Sequence, residues 1–188
     1  MKNYKVKITG ITPYMQHRMD DKKLAEWELG GQKIIMRDGL NDDKLKTAAY
    51  HSYIDVEGNY FIPSEHFKQS FVKGGSMVKG KVGASTKSMK NVVAGMWFIR
   101  PERIPFRMFD EVDTRSAVNR NIKAMIIVHR PKWLNWNCEF ELNVDNDSLT
   151  IQVIKSIIES AGKYIGVGSY RPEHTGEYGR FVADVQLI

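Results

Sequence analysis

Residues 138–162 read CEFELNVDNDSLTIQVIKSIIESAG, and this stretch decides the fold. Cys138–Val144 alternates apolar and polar residues without a break, as a strand with one buried face does. Asp147 or Ser148 then stands where a helix cap belongs. Leu149, Val153, Ile154, Ile157, Ile158 and Ala161 recur at helical spacing, and Gly162 is expected to close the helix. A strand followed at once by an amphipathic helix asks for a sheet with helices packed on one face.

Working outward, Tyr4–Ile11 (YKVKITGI) alternates as a first strand, and Thr12–Pro13 ends it. Residues from about 15 to 53 form a charged excursion with short helices expected around Lys22–Glu28 and Lys44–Tyr50. Gly58–Asn59 marks a turn between Ser52–Val56 and Tyr60–Ile62. Pro63-Ser64-Glu65 opens a helix with Ser64 as cap, Phe67, Phe71 and Val72 as its apolar face, and Gly74–Gly75 as its stop. Trp97–Ile99, Ile104–Phe106 and Ala124–Val128 read as further strand pieces, and Arg180–Ile188 as the last strand. The order predicts an α+β fold of ferredoxin-like (RRM-like) type, one antiparallel sheet packed on two helices. It would be a single domain over residues 1–188, with long insertions at about 15–53 and 73–130.

The chain has 188 residues, enough for a real core, and its hydrophobic content of 42% is ordinary for a globular protein. Lys and Arg total 28 against 22 Asp and Glu, a net charge of +6 that suits a polyanionic partner. The lone cysteine, Cys138, excludes an internal disulfide and a cysteine-rich zinc site. No apolar run reaches membrane-spanning length, and the N-terminus is no signal peptide, so a cytoplasmic protein without a membrane partner is expected.

Two segments carry the chemistry of a strand binder. Ser76–Lys90 sets Lys79, Lys81, Lys87 and Lys90 among Gly, Ser and Thr, with Lys73 just upstream and no acidic residue from Gly74 to Gly95. It reads as a solvated basic loop able to follow a phosphodiester backbone, or as a plain surface loop. Tyr164–Phe181 (YIGVGSYRPEHTGEYGRF) combines glycines with Tyr170, Arg171 and Arg180, a clamp on a nucleic-acid strand or a turn between two strands. Arg115, Arg120 and Arg130 extend the basic series between them. Trp133 and Trp136 have two readings, base-stacking platforms or core. Glu173–His174 likewise reads as an acid–base pair or as an exposed turn.

These residues resemble a known family. KVKITGITPYM, YFIPSEHFKQSFVKGG, the segment from Thr114 to Val144 and IGVGSYRPEHTGEYGRF together are similar to the RAMP superfamily, which includes the backbone subunits of CRISPR effector complexes. In the second motif Glu65 and His66 replace small residues, and Lys68 and Lys73 are the nearest basic matches. The ending also resembles uncharacterised prophage-type proteins. The resemblance implies binding of single-stranded RNA or DNA, RNA favoured, by repeated subunits stacked along the strand as a homo-oligomer. Some family members cleave RNA with an aspartate after the first strand, which places Asp20 or Asp21, with His17, as catalytic candidates for a metal-dependent endoribonuclease. Asp20 as a helix cap, and a phage structural or assembly protein, are the competing readings. No cofactor motif and no metal-ligand spacing is present among the five histidines.

Overall fold

Alternation in the first residues works out as strand β1 (Lys2–Gly10), which buries Tyr4, Val6 and Ile8 and exposes Lys5 and Lys7 between them. The protein is described here from a computed structural model over residues 1–18, 44–82, 84–119, 124–146 and 148–188. Strand β10 (Asn137–Val144) buries Cys138, Phe140, Leu142 and Val144 in the same way, and pairs antiparallel with β1, Val6 opposite Phe140. On the other edge of β1 lies β11 (Phe181–Leu187), Val6 opposite Val185. Beyond β10 lies β6 (Trp97–Arg100), with Ile99 opposite Leu142. The antiparallel sheet therefore runs β11-β1-β10-β6.

Helices α2 (Ser64–Met77) and α4 (Ile151–Ser160) bury their apolar stripes against its inner face. Phe67 meets Phe140 at 5.0 Å and Phe181 at 5.8 Å between ring centroids, and Phe71 meets Trp97 edge-on at 5.9 Å. Each such ring contributes about 2–3 kcal/mol through burial alone. Helices and antiparallel sheet share one core, so the mixed α+β class expected from the sequence holds.

Local details differ from expectation for identifiable reasons. Helix α2 does not stop at Gly74–Gly75 but runs on to Met77. A Cβ at Gly74 would lie 2.7 Å from the Ile157 carbonyl oxygen and 2.8 Å from the Ala161 nitrogen, so this glycine permits a close crossing with α4. Ser64 does not cap α2; it is the first helical residue, and its backbone N–H donates to the Glu102 carbonyl at 2.8 Å. In α4 the cap is Thr150, whose Oγ1 accepts from the Val153 N–H at 3.5 Å. Ser148 instead bonds Asn146 through its hydroxyl at 2.6 Å, and Asp147 lies outside the described residues. Winding also continues past Gly162, as a π turn over Ala161–Ile165.

The segment expected as a loop over Ser76–Lys90 carries two strands. It forms an antiparallel hairpin, β4 (Lys79–Val82) with β5 (Ser85–Ser88), followed by α3 (Lys90–Met96). The missed anchor is Met89, fully buried, whose N–H donates to the Val78 carbonyl at 3.0 Å.

The remaining elements form a second layer of pairing. A long hairpin, β8 (Glu111–Asn119) with β9 (Ala124–Trp133), takes the short β2 (Tyr14–Met15) on the free edge of β9. Strand β3 (Phe61–Pro63) pairs with β7 (Arg103–Pro105). An Ile54–Tyr60 bridge closes the Gly58 turn as expected, and α1 (Lys44–Tyr50) occupies its expected span. The helix expected around Lys22–Glu28 lies outside the described residues. Among the described residues no helix is long and apolar enough to cross a membrane.

Candidate nucleic-acid interface

Four lysines stand out on the β4–β5 hairpin and at the start of α3. Lys79 faces Ser88 and Lys81 faces Thr86 across the hairpin, while Lys87 is opposite Gly80. Alternation puts Lys79 and Lys81 on one face and Lys87 on the other, with Lys90 leading into α3. All four are exposed, and among the described residues none has an ion-pair partner. Charge of this kind remains available to a polyanion.

The open face of the main sheet is different. Lys5, Lys7 and Arg100 point there, and so do Glu139, Glu141 and Asp184. Register sets Lys5 opposite Glu141, Lys7 opposite both Glu139 and Asp184, and Arg100 opposite Glu141. Lys5 closes on Glu139 at 2.9 Å. Opposite signs cancel on this face, which leaves it without a basic track.

A third basic group is already engaged. Arg115 lies over the Tyr170 ring at 4.9 Å and the Tyr178 ring at 5.2 Å. Its guanidinium also donates to Asp113 at 2.7 Å and to the Tyr178 hydroxyl at 2.6 Å. Arg130, only 8% exposed, takes the Tyr170 ring at 5.1 Å and donates from Nε to His17 Nδ1 at 3.2 Å. His17 in turn stacks on His51 at 4.4 Å. Tyr170 thus lies within reach of two cations, at a left-handed φ of 54°. The structure brings together Arg115, Arg130 and Tyr170, which lie far apart in sequence, and their visible contacts are with one another and their neighbours.

The glycine-rich segment is a loop with one short 3-10 turn, Pro172–His174, rather than a hairpin of two strands. Its path is fixed at Gly179, where φ is 69° and a Cβ would fall 1.8 Å from the Val167 carbonyl oxygen. Arg171 donates to the Gly168 carbonyl and to Glu173, both at 2.9 Å, and Lys73 of α2 pairs with the same Glu173. Burial raises the Glu173 carboxyl, but Lys73 and Arg171 outweigh it and hold the group below its ordinary range. Glu173 is therefore ionised near neutrality and ill-suited to act as a general acid, with exposed His174 3.8 Å away. Arg180 anchors the loop through its backbone, its N–H donating to the Thr12 hydroxyl oxygen at 3.0 Å, and its Nε is buried without a partner among the described residues.

Between α2 and this loop lies a cleft of about 230 Å³. Glu65, His66, Gln69, Ser70 and Lys73 form its helical wall, residues of the loop from Ile165 to Glu173 the other, and His17 and Tyr53 complete the lining. His66 meets the Tyr14 hydroxyl through Nδ1 at 3.3 Å and the Tyr53 ring edge-on at 5.2 Å. Burial, reinforced by the Arg171 charge, pushes its pKa down to about 4, so the ring is neutral near neutrality. Ser70 is 2% exposed, and its hydroxyl has no partner among the described residues.

Trp133 and Trp136 are buried, at 0% and 3% exposure, and their indole N–H groups donate to Arg107 and Thr12 carbonyls. Both belong to the core, and neither can stack on a base. Asp20, Asp21 and Arg120 lie outside the described residues. The cleft itself escaped the sequence reading, although His66, Gln69, Ser70 and Lys73 follow i, i+3, i+4, i+7 spacing, a polar stripe beside Phe67 and Phe71. No protein-family model matches the chain, and no curated protein matches it.

Proposed function

We propose that this protein binds single-stranded nucleic acid, RNA in preference to DNA, along the lysine hairpin. The observation that carries the reading is that Lys79, Lys81, Lys87 and Lys90 have no ion-pair partner among the described residues, in a stretch without a single carboxylate. Phosphates replace condensed counterions on such a surface, and the entropy of their release drives binding. Lys73, Arg115, Arg130, Tyr170 and Arg171 shape the adjoining surface, since the side chain of each is engaged inside the molecule, and Arg180 joins them through its backbone.

Finer readings accompany this one. The β11-β1-β10-β6 order, with α2 and α4 on one face, supports a ferredoxin-like arrangement within one domain, and with it the RAMP-type resemblance. Repeated copies stacked along one strand, in the cytoplasm, complete the proposal. Endoribonuclease activity through Asp20, Asp21 or His17 gains no support from the described residues.

Four phosphate contacts on a single strand predict a log–log salt slope of about −2.8, or roughly 50-fold weaker binding on going from about 50 to 200 mM salt. Fluorescence anisotropy with labelled RNA and DNA of equal length measures it. Affinity that ignores salt would remove the electrostatic track, and equal affinity for DNA would remove the preference for RNA.

A further inference from the structure

The cleft between α2 and the glycine-rich loop is built for something other than a phosphate. Its two cations, Lys73 and Arg171, are both spent on Glu173, and Glu65 stands on the same wall. Two positive and two negative side chains leave no net charge to hold an anion. His66 adds none, because its ring is neutral. What the cleft offers instead is aromatic surface from Tyr53 and His66, the amide of Gln69 and the hydroxyl of Ser70.

Ser70 is the decisive residue. A serine inside a helix ordinarily satisfies its hydroxyl on the carbonyl one turn back. Here the hydroxyl is buried on the cleft wall and makes no bond among the described residues. Leaving a buried hydroxyl unpaired costs free energy, and an external hydrogen-bonding group would recover it. A hydroxyl both donates and accepts, as the edges of nucleobases do.

We propose that the cleft receives one unstacked nucleobase of the bound strand, packed beside the Tyr53 and His66 rings and read along its edge by Ser70 and Gln69. At about 230 Å³ it holds a single ring system rather than a run of nucleotides. Its place fits the lysine hairpin. Helix α2 carries the wall at Ser70 and ends at Met77, about 10 Å further on, where β4 begins. One strand can then seat a base in the cleft and lay its next phosphates on Lys79 and Lys81. The inference rests on the strand-binding reading and adds to it a preference for one base, which phosphate contacts alone cannot give.

The test uses the uncharged nucleosides adenosine, cytidine, guanosine and uridine, titrated into the ¹⁵N-labelled full chain and followed by amide shifts. One nucleoside is expected to move the amides of Ser70 and of Gly166–Ser169 saturably. Ser70→Ala is expected to weaken that binding on the order of tenfold while keeping or raising the melting temperature, because it deletes an unpaired buried hydroxyl. Gln69→Ala, at an exposed position, provides a second variant with weakening of about fivefold. The proposal is overturned if no nucleoside moves those amides, or if both variants bind like the parent. Nucleosides carry no phosphate, so this result stands apart from the salt test: strands held by a salt-sensitive track with silent nucleosides would remove the cleft and leave the track. Shifts in the cleft without strand binding would do the reverse.

Discussion

Two basic hairpins of this molecule each carry several cations and behave in opposite ways. On the β4–β5 hairpin Lys79, Lys81 and Lys87 project from a carboxylate-free stretch into solvent. On the β8–β9 hairpin Arg115, Arg130 and Lys132 lie against Tyr170 and Tyr178, with Asp113 and Glu111 completing the pairs. Basic character in a sequence is thus not a measure of charge on offer. A guanidinium that already has an aromatic face and a carboxylate stabilises the fold, whereas an unpaired ammonium keeps its capacity for an outside partner.

The largest effect that would sharpen this contrast belongs to the glycine loop that carries the tyrosines. Gly179→Ala places a methyl group against the Val167 carbonyl at a left-handed φ, and is expected to cost about 3 kcal/mol in denaturant unfolding. A loss below about 0.5 kcal/mol would mean that the loop is not held as described.

Next comes the pH dependence of the cleft side of that loop. The folded pKa of His66 is about 4, against an ordinary 6.5, so the unfolded chain takes up this proton first as pH falls. The stability tied to the neutral ring is complete above about pH 6.5 and is lost as pH falls toward 4, at most about 3 kcal/mol. Unfolding free energies measured across that window should show a slope that His66→Gln removes. An equal slope in the variant would assign the effect to other groups.

Smaller still is the arginine–tyrosine contact. Arg130→Met keeps much of the side-chain volume and removes the cation, with an expected loss of about 1 to 2 kcal/mol in stability. Strand affinity should stay within about twofold, because this arginine is spent inside the molecule. A large loss of affinity at unchanged stability would break the comparison and restore Arg130 to the binding surface.

The sequence was legible where signals are local. The strict alternation over Cys138–Val144 and the helical recurrence from Ile154 to Ile158 both hold, because each follows from which faces meet the core. Caps were legible only to within a turn: Thr150 and Ser148 are both good acceptors, and tertiary geometry chooses between them. The β4–β5 hairpin was hidden because its buried anchor, Met89, stands alone beside Lys90 with no alternating pattern around it. The arginine–tyrosine contacts were hidden for another reason. Arg115 and Tyr178 are 63 residues apart, and no local pattern announces their meeting. Four polar residues on α2 did carry a helical period, yet His66 and Ser70 acquire their character only when the glycine loop closes over them.

The most direct measurement compares salt slopes of strand binding for the parent, for Lys79→Gln/Lys81→Gln/Lys87→Gln and for Arg115→Gln, with melting temperatures recorded alongside. The account predicts that the triple lysine variant falls from a slope of about −2.8 to about −0.7, with its melting temperature unchanged, while Arg115→Gln keeps the slope and melts lower. A triple variant that keeps the parent slope, or an Arg115→Gln variant that loses it without melting lower, would contradict it.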